Sequence, residues 1–259
     1  MFWNAVGALQ ILSSVEETEP MMQYTYLLVN LATIFIPFLF SFHPKLKFYR
    51  TWRSFFPAVI ITGIAFIIWD IYFTHLGVWG FNESYLTGIQ IVNLPVEEVL
   101  FFLCIPYACV FTYHCLDILI EKTPNRAEPA ITLLLMIILT MTGILCFDKL
   151  YTVSTFLSLA AMLAFAKFVL KINWLGRFYM VYAILLFPFL IVNGILTGTG
   201  LEQPVVWYDN TEIIGFRIKS IPIEDVFYGM ELILVNLVIY KRLLHKQLSK
   251  RMIGLFVKP

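Results

Sequence analysis

The stretch Asn93-Leu94-Pro95-Val96-Glu97-Glu98-Val99-Leu100-Phe101 decides how this chain is read. It returns late in the chain as Ser220-Ile221-Pro222-Ile223-Glu224-Asp225-Val226-Phe227-Tyr228. Pro, Glu and Val are identical in the two copies, and the other positions are close substitutions. Each copy heads a long apolar run. Proline suits the first turn of a helix, where its missing N–H would have had no partner. The adjacent carboxylates then fall where the positive end of the helix dipole favours negative charge. For one copy, a well-started helix with an acidic first turn is explanation enough. Two copies, each opening a membrane helix, ask for more, because intramembrane ionisable groups are costly and mark functional sites.

The composition makes the membrane reading firm. The 259 residues are 60% hydrophobic and 14% charged, with a mean hydropathy of +0.82. Soluble domains carry about 25% charged residues. The expected class is therefore all-α, a polytopic membrane helix bundle. A net charge of +1 and the lack of a basic patch exclude nucleic acid as a partner. Cys104, Cys109, Cys115 and Cys146 lie in apolar runs without a C-x-x-C pair, so they read as packing residues. His43, His75, His114 and His245 have no ligand spacing, and no metal is expected. No G-x-G-x-x-G, P-loop or H-E-x-x-H is present, so no cofactor is expected either.

A spanning helix needs about 20 apolar residues. Seven stretches qualify, at roughly 24–42, 54–75, 95–117, 129–147, 150–170, 177–198 and 222–241. The last has no lysine before Lys241, which excludes a retinal Schiff-base pigment. Of the 18 Lys and Arg, only Lys149, Arg217 and Lys219 fall on one side of these spans. The positive-inside rule then puts the N-terminus outside and the C-terminus in the cytoplasm of a cell-membrane protein. Residues 1–23 lack a basic leader region and read as an N-terminal, interfacial segment.

The repeat extends beyond the opening motif. Trp69-Asp70-x-x-x-Thr74 corresponds to Val192-Asn193-x-x-x-Thr197, each ending a helix outward. Long outer loops follow, 76–92 with Trp79, Phe81, Asn82 and Tyr85, and 199–219 with Trp207, Tyr208 and Asn210. The chain divides into a first half at 24–120, a connector at 121–148, a second half at 149–243 and a basic cytoplasmic tail at 244–259. The extra connector span makes the two three-helix units parallel rather than inverted. Glu97, Glu98, Glu224, Asp225, Asp70 and Asn193 then lie near one level of the membrane.

Adjacent carboxylates point about 100° apart on a helix, so only one of each pair can face the bundle interior. Two inward carboxylates in low dielectric do not readily both ionise, which suits an acid and a base. Asp70, Asn93 and Asn193 are candidates to hold them, with Pro95 and Pro222 starting the helices. Glu231, seven residues after Glu224, reads as a carboxyl hydrogen-bonded inward. Trp69, Tyr72, Phe101, Phe102 and Tyr228 are candidate aromatic walls, able to stabilise a cation when desolvated.

Two half-units of three helices, each with a P-x-E-[E/D] motif, resemble the membrane-integral carotenoid cyclases of bacteria, archaea and fungi, the lycopene cyclase domain family. The residues that carry the resemblance are Pro95-Val96-Glu97-Glu98, Pro222-Ile223-Glu224-Asp225 and the stretch from Trp69-Asp70 through Trp79 to Asn93. It covers roughly residues 24–243, with both halves fused in one chain. It implies an intramolecular lyase, an isomerase that closes the open ends of lycopene into β-ionone rings without net redox change. One of Glu97 and Glu98 and one of Glu224 and Asp225 would be the acid and base. The implied partners are the carotenoid itself and membrane lipid, with room for association with other carotenoid enzymes. Alternatives within the class are ε or γ rings and C50 substrates. A proton-coupled transporter would also use parallel repeats and intramembrane carboxylates, but no Gly/Pro-broken helix pair lies at the midplane. A structural subunit with capping acids is the third reading.

Overall fold

The computed structural model describes residues 22–120 and 126–256, with side chains followed to Ser249. Residues 1–21, which include most of the proposed interfacial segment, residues 121–125 of the connector and the last three residues lie outside that description. Seven helices are present among the described residues: α1 (Thr25–Phe40), α2 (Trp52–His75), α3 (Val96–Leu119), α4 (Glu128–Leu145), α5 (Leu150–Ala164), α6 (Leu175–Leu196) and α7 (Ile223–Phe256). A 3-10 turn, Phe48–Thr51, leads into α2, and α5 ends in a π turn, Phe165–Val169. Five of these segments, from α2 to α6, are long and apolar enough to cross a membrane. The protein is an all-α membrane bundle. Helix α1 is apolar but shorter, at 16 residues. Helix α7 runs for 34 residues, about 51 Å at 1.5 Å per residue. It therefore continues through the basic segment that the sequence reading set apart as a tail. Lys, Arg, Gln and Leu are good helix formers, and no glycine or proline interrupts that stretch before Gly254.

The two outer loops are built as strands. In the first, β1 (Trp79–Phe81) is followed by a hairpin of β2 (Gln90–Ile91) and β3 (Leu94–Pro95). In the second, β4 (Val206–Tyr208) is followed by a hairpin of β5 (Arg217–Ile218) and β6 (Ile221–Pro222). The two-residue hairpin turns hold Val92 at φ 63° and Lys219 at φ 58°. Such turns demand positive φ, an uncommon conformation for Val. Each turn is tied down by its next residue: Asn93 Nδ2 donates to Ile71 O at 2.9 Å, and Ser220 Oγ to Gly194 O at 3.3 Å. Pro95 and Pro222 thus end hairpin strands, and Pro95 sits at the cap position just before α3 rather than within its first turn.

Strands β1 and β4 pair antiparallel, Trp79 with Tyr208, Gly80 with Trp207 and Phe81 with Val206. Gly80 precedes the first motif by the same interval as Trp207 precedes the second, so the two are repeat equivalents. A residue paired with its own repeat equivalent marks a pseudo-two-fold axis. The contact is close: a Cβ on Gly80 would meet the Trp207 ring at 2.3 Å, so glycine is needed there. Below this seam α1 packs on α3, and α5 packs on α7 and α4. Helix α2 crosses to α7 of the other half. The main core gathers Phe48, Phe55, Tyr107, Leu159, Phe178 and Leu237, among others, toward the opposite end of the bundle.

Candidate functional site

The hairpin before α3 delivers Glu97 and Glu98 into its first turn, and the hairpin before α7 does the same for Glu224 and Asp225. Both pairs are buried. The first member of each pair turns toward its own half. Glu97 Oε1 accepts from Thr87 N at 2.7 Å, and the Glu97 carbonyl accepts from Asn30 Nδ2 at 2.8 Å. Glu224 Oε1 accepts from Ile214 N at 2.7 Å and from Thr152 Oγ1 at 2.6 Å. Thr87 and Ile214 are again repeat equivalents, offset in the chain just as the two motifs are. These carboxylates replace backbone partners that the loop N–H groups would otherwise lack.

The second member of each pair turns into a cavity of about 360 Å³ between the halves, which both Glu98 and Asp225 line. Tyr26, at the start of α1, donates through Oη to Glu98 Oε2 at 2.5 Å. Tyr151, at the start of α5, donates to Asp225 Oδ1 at 2.7 Å. Asp225 Oδ2 accepts two further hydrogen bonds, from Asn193 Nδ2 at 2.7 Å and from Tyr208 Oη at 2.9 Å. Burial and the charge of Asp225 hold the Tyr208 phenol well above its ordinary range, so it remains a donor at neutral pH. Asp70, the counterpart of Asn193, also lines the cavity. It does not touch Glu98 through a hydrogen bond; its Oδ1 accepts from Trp79 Nε1 at 2.6 Å, and its Oδ2 has no protein partner among the described residues.

The remaining candidates separate cleanly. Phe101 and Tyr228 line the cavity. Tyr228 meets the rings of Phe66, Trp69, Trp79 and Tyr151, which fixes its plane. Phe102 is buried against Phe66 and Leu232, and Trp69 stacks on Phe66; neither is on the cavity wall. Tyr72 is 57% exposed and faces outward, away from the site. Its position two residues after Asp70 rotates it off the inward face. Glu231 is also off the cavity and accepts from Ser158 Oγ of α5 at 2.6 Å, which leaves it a link between helices.

Sequence reasoning missed Tyr26, Tyr151 and the role of Tyr208. Tyr26 and Tyr151 open the first helix of each half, so extending the repeat comparison to those helices would have found them. Tyr208 reaches Asp225 only because β4 pairs with β1, a long-range contact with no local signal.

The site is a mostly apolar and aromatic chamber with Asp70, Glu98 and Asp225 at one end. That set can give and take protons without relying on water, as protonation-initiated chemistry on a hydrocarbon requires. No curated protein and no solved structure matches the chain. A family model described as lycopene cyclase matches residues 23–116 and again residues 148–243, once over each copy of the motif. Matched over most of its length, and with a carboxyl group from each copy brought into one cavity, the chain belongs to the lycopene cyclase family.

Proposed function

We propose that this protein closes the ends of lycopene into β-ionone rings at a single site between the halves, giving the monocyclic and then the bicyclic product. The observation that carries the reading is that Glu98 and Asp225, equivalent in the repeat, line one cavity with different partners. Asp225 accepts three donors, the setting of an ionised carboxylate, and Glu98 accepts one. Glu98 therefore serves as the acid. It protonates the terminal double bond of the polyene, and the carbocation is attacked by the next double bond to close a six-membered ring. Asp225 then takes the ring proton, and a ring double bond forms. Protons move and no electrons are exchanged with a cofactor, so the reaction is an isomerisation. Aromatic faces of Phe101 and Tyr228 stabilise the cation. The β ring follows from which ring proton Asp225 reaches.

Residues 24–120 and 149–243 act as the two halves, joined by 121–148. The carboxylate end faces outward, by the lysine and arginine bias. A cysteine placed in 199–219 should react with an impermeant thiol reagent from outside, and labelling only from the cytoplasmic side would reverse this orientation. The activity itself is tested by pigment extraction from a lycopene-accumulating host expressing the chain. β-Carotene is the expected pigment; unchanged lycopene beside well-expressed protein would refute the reading, and ε or γ rings would correct the ring type.

A further inference from the structure

The cavity is longer than the carboxylate site needs. On α3 its wall is made by Glu98, Phe101, Ile105, Ala108, Cys109 and Thr112. Apart from the adjacent Ala108 and Cys109, they follow at intervals of three and four, which keeps them on one helix face. From Glu98 to Thr112 this face extends about 21 Å at 1.5 Å per residue. Helix α6 lines most of that depth, about 16 Å from Asn193 back to Tyr182. The walls away from the carboxylates offer no free polar group at their threonines. Thr33 Oγ1 donates to Val29 O and Thr112 Oγ1 to Ala108 O, each at 2.8 Å. A hydrocarbon fits such a slot, and a polar ligand does not.

The slot is open on one flank. Ile36 of α1 and Pro188 of α6 line the cavity and are also exposed on the surface of the bundle, Ile36 to 61%. The surface there is the one that lipid covers. The pseudo-equivalent flank, between α2 and α5, brings only Asp70 and Tyr151 to the cavity, both at its carboxylate end. Beside it α2 packs on α7, where Phe66, Phe102 and Leu232 meet and Ser54 Oγ donates to Gln247 Oε1 at 2.7 Å. The cavity therefore runs along one flank of the repeat and not along the other.

We infer that a lipid-soluble polyene enters sideways from the bilayer between α1 and α6, and lies along α3 with one end at Glu98 and Asp225 while the other stays in lipid. This rests on the proposed ring closure and names its substrate path. It has a consequence for the second ring: the monocyclic product must leave and return reversed.

The test uses the full chain in liposomes, with two substrates: lycopene, and an acyclic polyene of half its length with the same end group. Ala108→Trp and Ile36→Trp place bulk in the slot about 15 Å along the helices from Glu98 and Tyr26. Each should lower the turnover of the long substrate relative to the short one by about 10-fold or more, as misplacement of a bound substrate does. Leu39→Trp, on the exposed face of α1 and outside the cavity, should leave that ratio unchanged. Ile36 faces lipid, so its variant has room for the added ring and decides the matter if Ala108→Trp does not accumulate. An unchanged ratio in Ile36→Trp, or an equal fall in Leu39→Trp, would overturn the path. Turnover of neither substrate by the unmodified protein would instead overturn the ring closure on which it rests.

Discussion

The two halves hold the same motif in different surroundings. Glu97 and Glu224 do the same work, each anchoring the backbone N–H of a loop residue ten positions earlier. The hairpins match down to their positive-φ turns. One step inward the halves diverge. Tyr26 and Tyr151 are preserved, but Asp70 stands opposite Asn193, and Phe81 opposite Tyr208. Asp225 gains two donors by those exchanges, and Glu98 gains none. The scaffold positions are alike in both copies. The cavity positions differ, as the proposed reaction asks of two carboxyl groups with distinct tasks.

The largest effect should come from breaking the asymmetric pair. Glu98→Gln and Asp225→Asn keep shape and remove proton transfer, so each should lower turnover about 10²–10⁴-fold in a rate assay on reconstituted protein. If these residues were only first-turn acids, the change would cost about 0.3–1 kcal/mol of dipole interaction and leave activity nearly normal.

Making the halves more alike should have a smaller effect. Tyr208→Phe removes one of three donors to Asp225 and gives the second half the residue of the first. A hydrogen bond to a charged group is worth about 1.5–3 kcal/mol. Turnover should fall about 10-fold to 100-fold, while the protein stays folded in membranes. The reciprocal change, Phe81→Tyr, should not restore activity to Tyr208→Phe, because the added hydroxyl belongs to the Glu98 side of the pseudo-axis. Restoration would mean that the two sides are interchangeable.

The symmetric pair should matter for stability and least for chemistry. Glu97→Gln and Glu224→Gln weaken charge-assisted bonds to Thr87 N and Ile214 N. Thermal stability in detergent should fall by about 1–3 kcal/mol, with the surviving protein still closing rings. A folded Glu97→Gln protein without activity would show that the scaffold carboxylates also take part in the reaction.

Much of this organisation could be read from the chain. The duplicated motif located all four carboxylates, and the apolar runs placed the helices to within a few residues, except that α7 runs on through the basic segment to Phe256. The orientation within each pair could not be read, because a step of about 100° between neighbours says nothing about which side meets the other half. Tyr72 shows the same limit: next to the site in sequence, it faces outward. Loop strands were invisible because three-residue pairs such as Trp79–Phe81 with Val206–Tyr208 draw their stability from each other, not from local propensity. Tyr208 joins the site only through that pairing.

The central claim is that one cavity uses one carboxyl group from each half. The most direct test is the product pattern of Glu98→Gln and Asp225→Asn, each expressed alone in a lycopene-accumulating host, with lycopene, monocyclic and bicyclic pigment measured against protein amount. Each variant should accumulate lycopene and make neither cyclic pigment. Monocyclic product from either variant, at normal protein level, would mean that each half closes rings by itself, and would contradict a shared site.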